Sequence, residues 1–316
     1  MKFSKQFLGS GVLPTRFMTG RVELMALGRW TRRIAAGLLL GTTATPLAAQ
    51  TPEPPIWVVE DENSTIYMIG TVHMMRDGVD WESPQLAEIL EKADSVWLEL
   101  DSFEPPADLF GLIMTSGMSP DRPLSSLLNE EEMAGLQIIL DEHGVPLESF
   151  DGLRPWYAYL QISALMLVEA GFDPAGGIDM HIKARADELG TPVEGFETFE
   201  DQFETLSGMD EAVQLDVLRQ TIIEYEDAKT ELVGELESWI DGDLSTLERE
   251  TAEIAEELEG FYDVLFVERN HGFVDGIEDI LAGEGTTLVA VGLGHYVGPD
   301  SIPEILEERG YTVERR

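Results

Sequence analysis

The 316-residue chain contains no cysteine. That excludes disulfide frameworks, thiolate nucleophiles and sulfur-ligated metals, so a bound metal has to be held by nitrogen and oxygen. Basic residues are scarce: 20 Lys and Arg stand against 61 Asp and Glu, a net charge of −41. A field of that sign opposes binding to nucleic acid and anionic membranes, favours solubility and suits a salty surrounding that screens self-repulsion. Long apolar runs are missing too. A membrane span needs about 20 apolar residues, and the stretch over residues 34–47 falls short of it. No repeat with a period of about 20–50 residues is present, so neither a solenoid nor a propeller is expected.

The short apolar stretch reads instead as part of an export signal. Arg29, Arg32 and Arg33 precede it and Ala48-Ala49-Gln50 closes it, so residues 1–50 are expected to form a cleaved secretory signal peptide. Thr31-Arg32-Arg33 is only faintly like a twin-arginine signal, which favours the general secretory route, and Met25 would start a signal of ordinary length. Residues 1–50 carry seven basic and one acidic side chain, which leaves a net of −47 on the 266 residues that follow. These are expected to form one soluble domain, 51–316, in the periplasm or outside the cell. The prolines of Thr51-Pro52-Glu53-Pro54-Pro55 make an extended tether after cleavage.

Within that domain, residues 56–59 and 66–69 flank a polar turn and read as a hairpin. Ser83-Pro84 opens a helix to about residue 92, and residues 95–100 follow as a strand, completing a βαβ unit. Alternation in that strand puts Trp97, Glu99 and Asp101 on one face. From residue 105 to 283 the spacing is mainly helical, interrupted by a short strand near 192–196 that ends in Glu197. The acidic run 248–259 reads as a solvated helix face. Residues 288–291 return to strand, 301–309 form a last helix, and 311–314 close the sheet. The expected class is α/β: a small mixed sheet carrying the site, with a large helical lobe or cap inserted between the sheet-forming ends.

Two segments share one pattern. Gly70-Thr71-Val72-His73 follows the apolar run 66–69, and Gly292-Leu293-Gly294-His295 follows 288–291. Each is a buried strand that breaks at glycine and delivers a histidine to the crevice beyond its carboxyl end, where α/β proteins bind ligands. A histidine used only for core packing has no reason to stand beyond such a turn. His73, His295 and Glu99 therefore offer nitrogen and oxygen donors from separate elements, the requirement for a divalent metal that keeps one position for water. Arg269, beside Asn270 on a helix, could pair with Glu99 or Glu197, stabilise an oxyanion or form a plain surface ion pair. His143 stands at a helix end before Gly144, where imidazolium complements the dipole. His181 and His271 read as partly buried helix residues.

These motifs resemble the TraB/GumN family. The likeness rests on Ile69-Gly70-Thr71-Val72-His73, a downstream strand carboxylate, and Val291-Gly292-Leu293-Gly294-His295 followed by Gly298-Pro299. Arg154-Pro155-Trp156, Gly177-Ile178-Asp179, Gly195-Phe196-Glu197-Thr198 with Gln202, Glu268-Arg269-Asn270 and the ending over residues 305–313 follow in the family's order. Leu293 and Phe196 depart from the commonest form as apolar swaps. The resemblance implies a superfamily that includes Tiki metalloproteases, pheromone-shutdown proteins, haem-binding lipoproteins and erythromycin esterases. It implies metal-assisted hydrolysis, with peptide bonds as favoured substrate and zinc, manganese or cobalt as the metal. His73 and His295 would be ligands, Glu99 a third ligand or general base, and Arg269 a stabiliser of negative charge. A non-catalytic protein that holds or inhibits a peptide or small ligand in the same cleft, and a haem or metal carrier, are the rival readings.

Overall fold

The apolar stretches flanking Asp61-Glu62-Asn63 pair as a hairpin in the computed structural model, which describes residues 52–316 apart from Asp77. The export signal expected over residues 1–50 lies outside the described residues. β1 (Ile56–Glu60) runs antiparallel to β2 (Ser64–Thr71) with Ile56 opposite Ile69. Asp61 Oδ1 accepts from the backbone of Asn63 and Ser64, the side-chain bonding that makes aspartate a turn former. β3 (Met75–Arg76) is short, and α1 (Pro84–Lys92) follows. Ser83 caps α1 by accepting from the Leu86 amide, while proline at the first position gives up an N–H that has no helical partner anyway. β4 (Ser95–Leu100) comes next.

The lobe opens with α2 (Leu109–Leu112), which runs into a π turn over Ile113–Gly117. α3 (Glu130–Glu142) starts at a reciprocal cap between Asn129 and Glu132. α4 (Glu148–Asp151), α5 (Pro155–Glu169), β5 (Phe172–Asp173), α6 (Ile178–Leu189) and β6 (Val193–Glu197) follow. Next come α7 (Phe199–Ser207), α8 (Glu211–Ile240), α9 (Ser245–Glu257) and α10 (Glu259–Tyr262). A second π turn, Asp263–Val267, leads into α11 (Glu268–Leu281). The chain then gives β7 (Gly285–Gly292), a 3₁₀ turn over Leu293–Tyr296, α12 (Ile302–Glu308) and β8 (Val313–Arg315). No helix among the described residues is long and apolar enough to cross a membrane.

The six-stranded sheet has the order β6-β4-β7-β2-β1-β8. β6, β4, β7 and β2 are parallel, and β1 is antiparallel to both of its neighbours. The α/β class and the inserted lobe are as the sequence implies. The βαβ unit is not a contiguous pair, however: β7 lies between β2 and β4 and pairs with both. Burial on every side explains the fit, since Leu288, Val289, Ala290 and Val291 expose nothing to solvent. The insert also returns to the sheet once, as β6, and β5 pairs with β3 in a separate two-stranded ribbon.

Crossovers from β2 to β4 and from β4 to β6 run one way along the sheet, whereas β6 to β7 and β7 to β8 run the other. Right-handed connections then set α1 and α6 on one face and α11 and α12 on the opposite one. Loops leaving β7 and its two neighbours go to opposite faces of the sheet, the arrangement beyond whose strand ends α/β proteins bind ligands. In the lobe α8, about 45 Å long, is the spine against which α3, α5, α9 and α10 pack. One expectation fails here. The acidic run is not wholly a solvated face, because the inward stripe of α9 is Leu247, Glu250, Thr251 and Ile254. The three- and four-residue spacing carries Glu250 inside with its apolar neighbours.

Candidate active site

Four parallel strands end on one edge, and each contributes a functional side chain there: His73 beyond β2, Glu99 near the end of β4, Glu197 at the end of β6 and His295 beyond β7. Glycine is needed in the first motif for space rather than for a left-handed backbone. A Cβ on Gly70 would lie 2.4 Å from Leu293 Cδ1 and 2.9 Å from Leu293 Cα, so the two histidine motifs press directly on each other. Gly177 is required in the same way, since a Cβ there would stand 2.6 Å from the His73 carbonyl oxygen. That close approach lets the Ile178 amide donate to the Val72 carbonyl and seats the first turn of α6 beside His73.

Arg269 is the hub of the charges. It is not a surface ion pair: its Nε donates to Glu197 Oε1 at 2.7 Å, and its Nη2 to Glu197 Oε2 at 2.7 Å and Glu99 Oε1 at 2.6 Å. The π turn before α11 brings the Leu265 carbonyl to Nη1 at 3.2 Å, a local widening of the kind found at functional sites. Glu99 is 1 % exposed. Gln202 Nε2, on α7, also donates to Glu99 Oε1, and the Gly292 amide donates to Glu99 Oε2 at 2.9 Å. The buried carboxylate is thus matched by a guanidinium, a carboxamide and a backbone N–H, which offsets its desolvation.

Both histidines present the same nitrogen. His295 is fully buried, and its Nδ1 lies 2.5 Å from Asn270 Oδ1, whose own Nδ2 donates to the Asp300 carbonyl at 2.7 Å. Asn270 is therefore oriented as an acceptor, His295 carries its proton on Nδ1, and its Nε2 lone pair faces Arg269 Nη1 at 3.3 Å. His73 Nδ1 is 3.4 Å from Asp179 Oδ2, and that carboxylate can only accept, so neutral His73 also keeps its lone pair on Nε2. Tyr296, stacked on Trp57 at 4.7 Å between ring centres, stays a neutral phenol: burial, with the Glu99 charge nearby, pushes its pKa well above the usual value.

The other three histidines stand apart from this site. His143 closes the end of α3, as expected, and its Nε2 is 2.7 Å from Tyr225 Oη. His181 and His271 lie on α6 and α11 but are exposed rather than partly buried, and His181 Nε2 is 3.1 Å from Glu82 Oε2. Sequence reasoning named Glu197 as a possible partner of Arg269, which the structure shows it to be, and left Asp179, Gln202 and Asn270 without assigned roles. Asp179 follows a glycine and Gln202 a strand end, while the available signal for Asn270 was its place beside Arg269.

A divalent metal suits these residues on three observations. Two imidazoles have Nδ1 held by an oxygen acceptor, the usual outer-shell support of metal-bound histidine, and Nε2 as the remaining donor atom; in His295 that atom meets Arg269 Nη1 at 3.3 Å, so a metal there would displace the guanidinium. A buried carboxylate, Glu99, accompanies them. The Thr71 hydroxyl, paired in register with Gly292, is buried with no hydrogen-bond partner, which leaves a polar position at the strand end for bound water or ligand.

The TraB/PrgY/gumN family model matches residues 55–315. An uncharacterized protein of Treponema pallidum (strain Nichols) is 20% identical over 287 residues, covering 85% of this chain and 85% of its own. No solved structure matches. The chain belongs to the TraB/PrgY/gumN family.

Proposed function

We propose that this member of the TraB/PrgY/gumN family is an exported metal-dependent hydrolase, with peptide bonds as its favoured substrate. His73 Nε2, His295 Nε2 and Glu99 would hold a divalent ion such as zinc, manganese or cobalt. When bound, the ion would polarise a substrate carbonyl and acidify water. The carrying observation is that two histidines from opposite ends of the chain, on adjacent strands, share one tautomer, each fixed by an oxygen acceptor.

Every other part of the chemistry falls to the chain itself. Asn270 and Asp179 hold the imidazoles in orientation. Arg269 holds Glu99 and Glu197 side by side, and its position 3.3 Å from His295 sets a fixed positive charge where a tetrahedral oxyanion would develop. Glu99 serves as ligand in this arrangement. To act as general base it would first have to shed one of its donors, so Glu197, at the crevice edge, is the carboxylate nearer to solvent.

Metal analysis of protein purified without chelating resin tests the reading. Wild type should carry a divalent ion. His73→Ala and His295→Ala should each lose the ion and any peptidase activity while keeping the wild-type far-ultraviolet circular dichroism. Wild type that carries no ion and takes up none of zinc, manganese or cobalt would sink the hydrolase reading and favour ligand binding in the same crevice. Export rests on residues 1–50, and amino-terminal sequencing of periplasmic protein should begin close to Thr51.

A further inference from the structure

The contact between α8 and α9 holds acids where the apolar stripe should continue. Glu250 on α9 is 1 % exposed and Glu235 on α8 is 7 % exposed. With half-buried Glu231 they bring one carboxylate oxygen each to within 4.8 Å of one another. The Oε2 atoms of Glu235 and Glu250 are buried with no hydrogen-bond partner. The adjacent cation, Arg249, is largely exposed, and its guanidinium reaches only to 3.5 Å from Glu250 Oε1 and 3.5 Å from Glu253 Oε1. Burial above all, then the charge of Glu250, a hydrogen bond between the two carboxyls and the charge of Glu231, pushes the Glu235 carboxyl up to about 9, and burial raises Glu250 as well. Carboxylates this dry have to gain either protons or a cation.

A second feature separates those outcomes. Glu235, Ser238, Trp239, Asp243, Leu244 and Leu293 border a cavity with room for roughly one water molecule. Trp239 is buried, and its Nε1 has no hydrogen-bond partner. An indole N–H can only donate, and Trp239 borders the same cavity as Glu235, so a water there would offer it an acceptor. A water accepting from Trp239 keeps a lone pair for a cation beside Glu235. Oxygen-only donors select a hard ion such as calcium.

We infer that Glu231, Glu235 and Glu250 form a second site, for a hard divalent cation of the calcium type, completed by a water held against Trp239. The site ties α8 to α9 and braces the turn at Leu293, the residue between the Glu99-binding amide of Gly292 and the histidine of the second motif. It shares no ligand with the histidine crevice.

The test uses the full exported chain stripped with chelator at neutral pH. Calcium at about 100-fold its Kd should raise Tm by roughly 5 °C or more. Terbium should show saturable, tryptophan-sensitised emission that calcium displaces. Glu235→Gln and Glu250→Gln, which keep shape and relieve repulsion, should fold with wild-type circular dichroism and lose both responses. His73→Ala with His295→Ala should keep both responses. Failure of the hydrolase reading leaves this result untouched. Three outcomes overturn the inference: no response of wild type to calcium, magnesium or manganese, which means that Glu235 and Glu250 share a proton; persistence of the response in both glutamine variants; or its loss in the histidine double variant.

Discussion

Two buried acidic clusters in this molecule are balanced in opposite ways. In the crevice, Glu99 and Glu197 share the fork of Arg269, and Gln202 and the Gly292 amide add further donors. Between α8 and α9, Glu235 and Glu250 bond to each other, and the cation beside them is an exposed guanidinium 3.5 Å from Glu250. The first cluster carries its counter-charge in the sequence, whereas the second depends on what the solvent supplies. Buried acids are tolerated in both, and only the means of compensation differs.

Removing the internal counter-charge should have the largest effect. Arg269→Met leaves two neighbouring carboxylates unpaired, one of them fully buried, and should cost about 3–5 kcal/mol of stability, read by denaturant unfolding. A loss under 1 kcal/mol would mean that the carboxylates find other donors. The acids of the second cluster should instead show themselves through pH. The unfolded chain releases the Glu235 proton near 4.5, and the folded chain holds it to about 9. In chelator, this group's contribution is therefore complete below 4.5 and is lost as pH rises towards about 9. Glu231, Glu250, Glu253 and Arg249 surround it, so the readout is the difference between wild type and Glu235→Gln, which should be less sensitive to pH across that window. Equal slopes would contradict the burial argument.

Asn270→Ala sharpens the comparison from the crevice side. It frees the His295 tautomer without touching Arg269 or the carboxylates, and should weaken metal binding about 10- to 100-fold. Competition with a chromogenic chelator measures it, and an unchanged affinity would assign His295 to structure alone. The smallest expected effect is general. Screening of the −47 charge on residues 51–316 should raise Tm by a few degrees as salt shortens the screening length from about 30 Å to about 10 Å. A flat or falling Tm would show that repulsion among surface acids is already negligible.

Local chemistry was legible in the sequence, and neighbourhood was not. The turn at Asp61, the Ser83 cap and the glycines before His73 and His295 can be read from a few consecutive residues, and the structure carries each of them. Nothing local announces that β7 separates β2 from β4, because strand order is settled by burial on both faces and by crossover handedness. Gln202 and Asn270 were visible as residues, but their roles need the fold that brings α7 and α11 over the strand ends. Glu250 was a misreading of a different kind. Its place beside Leu247, Thr251 and Ile254 was available in the helical spacing, and the acidic composition of the segment outweighed it.

The central position of β7 also bears on how the chain is made. Ser95 of β4 bonds with Thr287 of β7, 192 positions later in the chain. Until that strand has been synthesised, β2 and β4 each present an unpaired edge and the core of the sheet cannot close. The segment that completes the parallel part of the sheet arrives last among the parallel strands, and the two histidines come together only in that final step, so the strand-end site is assembled once β7 is in place.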